Sequence, residues 1–368
     1  MKIFQLTLVA FLTSFVGQTA FAESKLKEGV RGVATRAPKE MKIDGDLSEF
    51  KNAFATPVEY FQSDNSGKKD LGLRDRAAQF FYMWDDEAFY AGLRTLDRNP
   101  HSSAPDDHLW EGDAVEWYFD TRQNETFRSH DWPKTPNAGA VHCYWSGLKG
   151  TNIVPRFCLR PTFLEAIPKI GVEVGARHTA KGMEVEFKLP WKNFPEFKAK
   201  LDTVIALDAE LCYSDGGPRV FRSFVYGSPL GVQQPASLGK IQLIEKLEPK
   251  QWATVGPLMF PIRCDTAWGQ PGNPQVTGLM AIPPNYTDQI GKVAFRILDL
   301  NGKKLGEFDG KIDTFEAEGN FARATAQWPN DLAIPGAHHL LGVVYDKKGK
   351  ELTRIAPRMV SVNMQPGY

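Results

Sequence analysis

The apolar residues of this chain recur mostly at every second position, in short runs broken by Gly, Pro, Asp and Asn. Sustained three-to-four spacing is scarce, so the pattern predicts strands rather than helices. Candidate strands are residues 79–84, 88–96, 113–120, 140–145, 172–177, 183–189, 204–213, 220–226 and 240–244. Asp85-Asp86-Glu87 reads as the turn between the first two. Pro190 to Phe194 reads as one helical turn. In the strand ending at Asp120, alternation puts Val115, Trp117 and Phe119 on one face, as core. It puts Ala114, Glu116 and Tyr118 on the other.

Near Ile244–Gln251 the texture changes. Glu245, Lys246, Glu248, Pro249 and Lys250 form a charged link. Beyond it, Asp299-Leu300-Asn301-Gly302-Lys303-Lys304-Leu305 and Asp346-Lys347-Lys348-Gly349-Lys350-Glu351-Leu352 share one form, each after an apolar run. Each predicts a hairpin whose glycine takes a positive φ. The fold class expected is all-β, with two β-sandwich domains. The expected division is a leader over 1–22, a first sandwich over 23–247 and a second over 252–368, where Ile334-Pro335-Gly336 before the second apolar run resembles the lead-in of an immunoglobulin-like sandwich.

The leader rests on Lys2, the largely apolar stretch from Ile3 to Val16 and the small-x-small pattern Ala20-Phe21-Ala22, so Glu23 is expected as the first mature residue. The protein is therefore expected outside the cytoplasm: in a periplasm, on a cell surface or free. No later segment is long and apolar enough for a membrane-spanning helix. The 44 basic and 44 acidic residues balance, which argues against nucleic-acid partners. Cys143, Cys158, Cys212 and Cys264 are spaced too widely for a zinc or haem motif. They are either disulfide-bonded or buried thiols, and Cys143 and Cys158 are candidates to meet across neighbouring strands.

Trp110 and Glu116 form the most informative pair. An aromatic ring stacks on sugar C–H groups, and a carboxylate accepts hydroxyl hydrogen bonds. The plain alternative is a Trp packing a loop, with Glu116 solvated or paired to an Arg. Asp113 and Glu116 fall on opposite strand faces, which argues against a glycosidase pair. No phosphate-binding glycine loop, nucleophile elbow or HExxH is present. His101, Asp106, Asp107, His108, His130 and Asp131 lack a fixed ligand spacing and read as solvated loops.

Five segments together resemble the family-9 carbohydrate-binding modules and their DOMON-like relatives. They are Ile43-Asp44-Gly45-Asp46-Leu47-Ser48-Glu49-Phe50, Trp84-Asp85-Asp86-Glu87-Ala88-Phe89-Tyr90, Trp110-Glu111-Gly112-Asp113-Ala114-Val115-Glu116, Leu189-Pro190-Trp191-Lys192 and Pro235-Ala236-Ser237-Leu238-Gly239-Lys240-Ile241-Gln242-Leu243. The resemblance implies a non-catalytic protein that binds an oligo- or polysaccharide. Trp110 matches one of two Trp that clamp the sugar, Glu116 a polar contact, and Glu210 falls near another. Val232 stands where the second clamp Trp is expected, and His142 is nearest to an expected Arg. Trp132, Trp145 and Tyr226 are candidates for the missing wall. The resemblance also permits a structural calcium at Asp44 and Asp46. Two other readings follow from relatives of this fold. One is haem-binding electron transfer with Met83 or Met183 as an axial ligand, and the other is a structural surface protein without a small ligand.

Overall fold

The computed structural model describes residues 24–54, 56–57, 60–63, 78–97, 99–100, 110–123, 142–147, 158–159, 171–180, 182–214, 217–226, 237–251, 263–265, 275–281, 289–314, 321–332, 334–354 and 358–362. Among these, helical segments are short 3-10 turns only. The first set of strands is β1 (Val30–Arg36), β2 (Thr56–Pro57), β3 (Tyr60–Ser63), β4 (Ala78–Trp84), β5 (Ala88–Leu96), β6 (Ala114–Asp120), β7 (His142–Gly147), β8 (Cys158–Leu159), β9 (Glu173–His178), β10 (Gly182–Pro190), β11 (Val204–Ser214), β12 (Arg219–Phe224) and β13 (Gly239–Leu243). One layer runs β8-β7-β6-β11-β13-β1, with β12 on β11 and β3 on β12. The other runs β1-β4-β5-β10-β9. β1 joins them, pairing in parallel with β13 through Val30–Ala34 and with β4 at Thr35 and Arg36.

The layers close on one aromatic core. Phe80 meets Trp117 edge-on at 5.4 Å, Phe89 meets Phe119 at 5.1 Å, and Trp117 stacks on Phe187 at 5.8 Å. Offset and edge-on pairs of this kind add to the burial of their area. As the alternation predicts, Val115, Trp117 and Phe119 enter this core. Tyr226, a candidate for a sugar wall, is also core. It is buried, and a Cβ on Gly32 or Gly239 would fall within 2.1 Å or 2.5 Å of its atoms, so two glycines make room for it. Met83 and Met183 likewise pack in apolar clusters.

The motif turns have local causes. Asp85 Oδ1 accepts from the backbone N–H of Glu87 and of Ala88, both at 2.8 Å, and Oδ2 accepts from the Tyr90 hydroxyl at 2.8 Å. One side chain thus ties both ends of the β4–β5 turn. The helical turn read at Pro190–Phe194 is the 3-10 segment Trp191–Asn193.

The second set comprises β14 (Arg263–Asp265), β15 (Gln275–Ala281), β16 (Ile290–Leu298), β17 (Lys304–Thr314), β18 (Phe321–Gln327), β19 (Gly336–Asp346), β20 (Glu351–Arg354) and β21 (Arg358–Val362). They run in the order β14-β15-β18-β17-β16-β19-β20, with β21 also on β19. The two repeated motifs are the β16–β17 and β19–β20 turns. Gly302 and Gly349 take φ of 84° and 80°. In each turn the leading Asp accepts from two following amides: Asn301 and Lys303 for Asp299, Lys348 and Lys350 for Asp346.

The two sets of strands do not pair with each other among the described residues, yet they share an apolar cluster. Val30, Val33, Phe54, Ile244 and Leu247 pack with Val293, Phe295, Ile297, Trp328, Leu340, Val344 and Val360. Within the charged link, Ile244, Leu247 and Gln251 are buried while Lys246 is exposed. Its apolar positions were hidden among charges in the sequence. Gln251 Nε2 also donates to the Ser24 carbonyl at 2.7 Å.

Register sets Cys158 opposite Trp145 rather than opposite Cys143. Cys212 is a free, buried thiol.

Candidate functional site

The outward face of the β7-β6-β11-β12 layer carries polar groups that the core does not use. β6 and β11 run antiparallel, with Glu116 opposite Glu210, Tyr118 opposite Asp208 and Ala114 opposite Cys212. β12 then sets Arg222 opposite Cys212 and Phe224 opposite Glu210. Alternation forces these side chains to the face opposite Trp117 and Leu211. This is the two-faced strand read from the sequence.

On this face Glu116, Glu210 and Tyr118 are buried. The Tyr118 hydroxyl lies in hydrogen-bond contact with Glu116 Oε2 and, at 2.9 Å, with Glu210 Oε2. Arg222 grips Glu210 with two nitrogens, Nε to Oε1 and Nη2 to Oε2, the latter at 2.7 Å. This fork-to-fork geometry is the strong form of an Arg–carboxylate pair. Arg219 Nη1 stands 3.9 Å from Glu210 Oε1. The Cys212 thiol donates to Glu210 Oε1 at 3.4 Å and accepts from Arg219 at 3.6 Å.

Trp110 closes one side. It is half-buried. The Arg219 guanidinium lies 5.0 Å from its ring centre, and Arg219 Nη1 donates to the Trp110 carbonyl at 3.0 Å. One face of the indole is thus backed by a cation. Asp113 turns away to accept from the Ser214 amide at 2.6 Å and the Ser214 hydroxyl at 2.8 Å, fixing the entry to β6.

Burial pushes the Cys212 thiol well above its usual pKa, and the charges of Glu210 and Glu116 add to this. Burial alone would lower the Arg222 pKa, but its bonds to Glu210 outweigh burial and raise it. The thiol is neutral and the guanidinium charged at any ordinary pH.

Of the sequence candidates, the structure brings Trp110, Glu116 and Glu210 together. His142 is registered opposite Phe119, in the row of core-facing positions, while Trp145 is registered opposite Glu116 and Cys143 opposite Tyr118. His142 is therefore displaced from the row that carries Glu116. Val232, Trp132 and the loop residues His101, Asp106, Asp107, His108, His130 and Asp131 lie outside the described residues. Tyr118, Arg219, Arg222 and Cys212 were missed. Alternation in Arg219-Val220-Phe221-Arg222 carried a signal for Arg222, but its partner lies on another strand.

Two places offer carboxylates to a metal. At the Ile43–Asp46 turn, Asp44 Oδ1 accepts from the Asp46 amide at 2.9 Å, Asp46 Oδ1 from the Ser48 amide at 3.0 Å, and Asp46 Oδ2 from Arg177 at 2.6 Å. A calcium on Asp46 would sit against a guanidinium. Calcium also takes six to eight oxygens, and among the described residues these carboxylates do not gather into a group of three. Among the described residues the group that does is Glu116, Glu210 and Cys212. Its carboxylate oxygens already accept from Arg222 and the Tyr118 hydroxyl.

Two solved structures of family 9 carbohydrate-binding modules from Caldicellulosiruptor kristjanssonii resemble the chain. The one in complex with cellotriose is 16% identical, with a TM-score of 0.44, over 58% of this chain and 94% of that one. The one in complex with glucose is 17% identical, with a TM-score of 0.44, over 58% and 95%. No curated protein matches the chain. Residues 43–246 match the family model described as carbohydrate family 9 binding domain-like, and the chain belongs to that family.

Proposed function

We propose that this is an exported, non-catalytic protein that binds an oligo- or polysaccharide on the outward face of β6, β11 and β12. The observation that carries this reading is a half-buried Trp110 against Arg219, which stands 3.9 Å from Glu210, while a shared tyrosine hydroxyl joins Glu210 to Glu116 and a forked arginine holds Glu210 in place. Rigid polar groups next to an aromatic ring fit a sugar, whose C–H face stacks and whose hydroxyls bond. Family membership points the same way. In this reading Trp110 is one wall, Glu116 and Glu210 bind hydroxyls, and the eight-stranded unit is an immunoglobulin-like spacer. The leader ends at Ala22.

A glycan array with the mature protein tests the reading, with glucose and cellotriose among the probes. Binding to a defined glycan class is expected, weakened at least about tenfold by Trp110→Ala while the thermal midpoint holds. No binding by the parent at millimolar ligand would contradict it, and so would a collapse of the Trp110→Ala midpoint, which would make Trp110 structural. Export is checked by intact mass, which should place the first residue at or near Glu23.

A further inference from the structure

Residues 24–27 run along the seam between the two sets of strands. Ser24 is buried, Lys25 exposed, Leu26 half-buried and Lys27 exposed, so alternate side chains face inward. Leu26 packs on the apolar cluster that the two sets share. Two glutamines hold the backbone of this segment. On β13, the buried Gln242 accepts from the Lys27 amide at 2.8 Å and donates to the Lys25 carbonyl at 3.0 Å. In the link, Gln251 donates to the Ser24 carbonyl at 2.7 Å. Gln251 is itself set by the 3-10 turn Pro249–Gln251, and its Oε1 accepts from the Glu248 amide at 2.9 Å. β20 lies against that turn, and Leu352 of β20 packs on the shared cluster. The segment thus touches the first set of strands, the link and the cluster at once. Among the described residues no strand pairing crosses the seam to share that task.

Burial of Ser24 competes with the handling of a leader. Ser24 lies two residues past the expected cut after Ala22, and two extended residues reach about 7 Å at most. A leader held in a membrane keeps Ser24 close to the bilayer surface. A protease that cuts there needs extended chain on both sides of the bond. In either state Ser24 is kept from its buried place against Gln251.

We propose that residues 24–27 are a strap that closes on the link only after the leader is removed, and that its closure fixes the two sets of strands to one another. This rests on the export reading, in which the leader ends at Ala22. Limited proteolysis, read by mass spectrometry for cuts within residues 244–252, tests it on four proteins. They are the mature protein, a form that begins at Glu28, the mature Gln251→Ala variant and a full-length Ala22→Leu form that keeps its leader. The last three should be cut there about tenfold faster or more than the first. Lys25→Ala, which removes an exposed side chain and keeps the carbonyl, should match the mature protein. In the form that begins at Glu28, Gln251→Ala should add no further increase, since both changes remove one contact. Equal rates in the mature protein and the form that begins at Glu28 would overturn the strap. Rates that multiply in the combined variant would overturn its hold on the link, since Gln251 would then act through its own turn. A leader-bearing form cut as slowly as the mature protein would refute control by leader removal. An intact mass that retains the leader in exported material would remove the export reading, and the form that begins at Glu28 would still decide the strap.

Discussion

At the scale of single residues, Glu186 is the most exposed to test. Its side chain is fully buried. Oε2 accepts from the Asp44 and Gly45 amides at 2.8 Å and 2.7 Å, and Oε1 has no partner among the described residues. Burial pushes its pKa up to about 8, against the pull of the two amides. The folded protein thus holds this proton far above the ordinary value of 4.5 at which the unfolded chain releases it. Its contribution to stability is whole below that value, declines as pH rises and is gone above about pH 8. The thermal midpoint should fall between roughly pH 5 and 9, and the fall should shrink in Glu186→Gln. An identical slope in both proteins would refute the assignment. Glu307 runs the other way. Burial alone would raise its pKa, but Arg296, Tyr345 and Lys304 bond to it and hold it at about 2. Its contribution is present above pH 4.5 and is lost as pH falls toward 2. Neither residue was legible in the sequence, where one alternates within an ordinary strand and the other sits in a charged one.

At the scale of elements, glycine shows why some motifs were readable and others only recognisable. Gly302 and Gly349 sit in open space at positive φ, so their need is local and the D-x-x-G-K pattern displays it. Gly45 has a φ of 91°, but a Cβ there would also stand 2.6 Å from the carbonyl carbon of Ala176 on β9. That second requirement comes from a strand far along the chain. The I-D-G motif could therefore be matched to a family pattern, while the physical reason for its glycine stayed hidden. Gly302→Ala should cost about 1–2 kcal/mol of unfolding free energy, the usual cost of a left-handed L-residue. Gly45→Ala should cost more, about 2–4 kcal/mol, since backbone must move and the amides held by Glu186 move with it. Chemical denaturation of the two variants checks the ranking, and equal losses would contradict it. Strand faces were legible for the same local reason. The alternation that separated Trp117 from Glu116 is a property of one strand. The partner of Glu210 is not, since pairing Arg222 to it requires knowing that β12 lies beside β11.

At the scale of the whole molecule, the apolar cluster between the two sets of strands sets the expected behaviour. Leu247 belongs to the link and is buried in that cluster. Leu247→Ala should destabilise by about 2–5 kcal/mol, as for other large-to-small changes in cores, and should make residues 244–252 a preferred protease site. In the parent, limited proteolysis should spare that segment. Early cutting there would show the shared cluster to be weak. Five charged or proline residues surround the two apolar ones in the link, so the sequence displays its charge and not the burial of Ile244 and Leu247. Among the described residues no strand pairs across the expected boundary.

The central claim is that a saccharide sits against Trp110 on the face formed by β6, β11 and β12. The most direct measurement is the set of tryptophan indole resonances by two-dimensional NMR, titrated with the glycan that the array selects. Trp110→Phe assigns the Trp110 signal. That signal should shift progressively with ligand, while those of Trp117 and Trp328, both fully buried in the two cores, stay fixed. Saturable binding that leaves the Trp110 resonance unmoved would contradict the site.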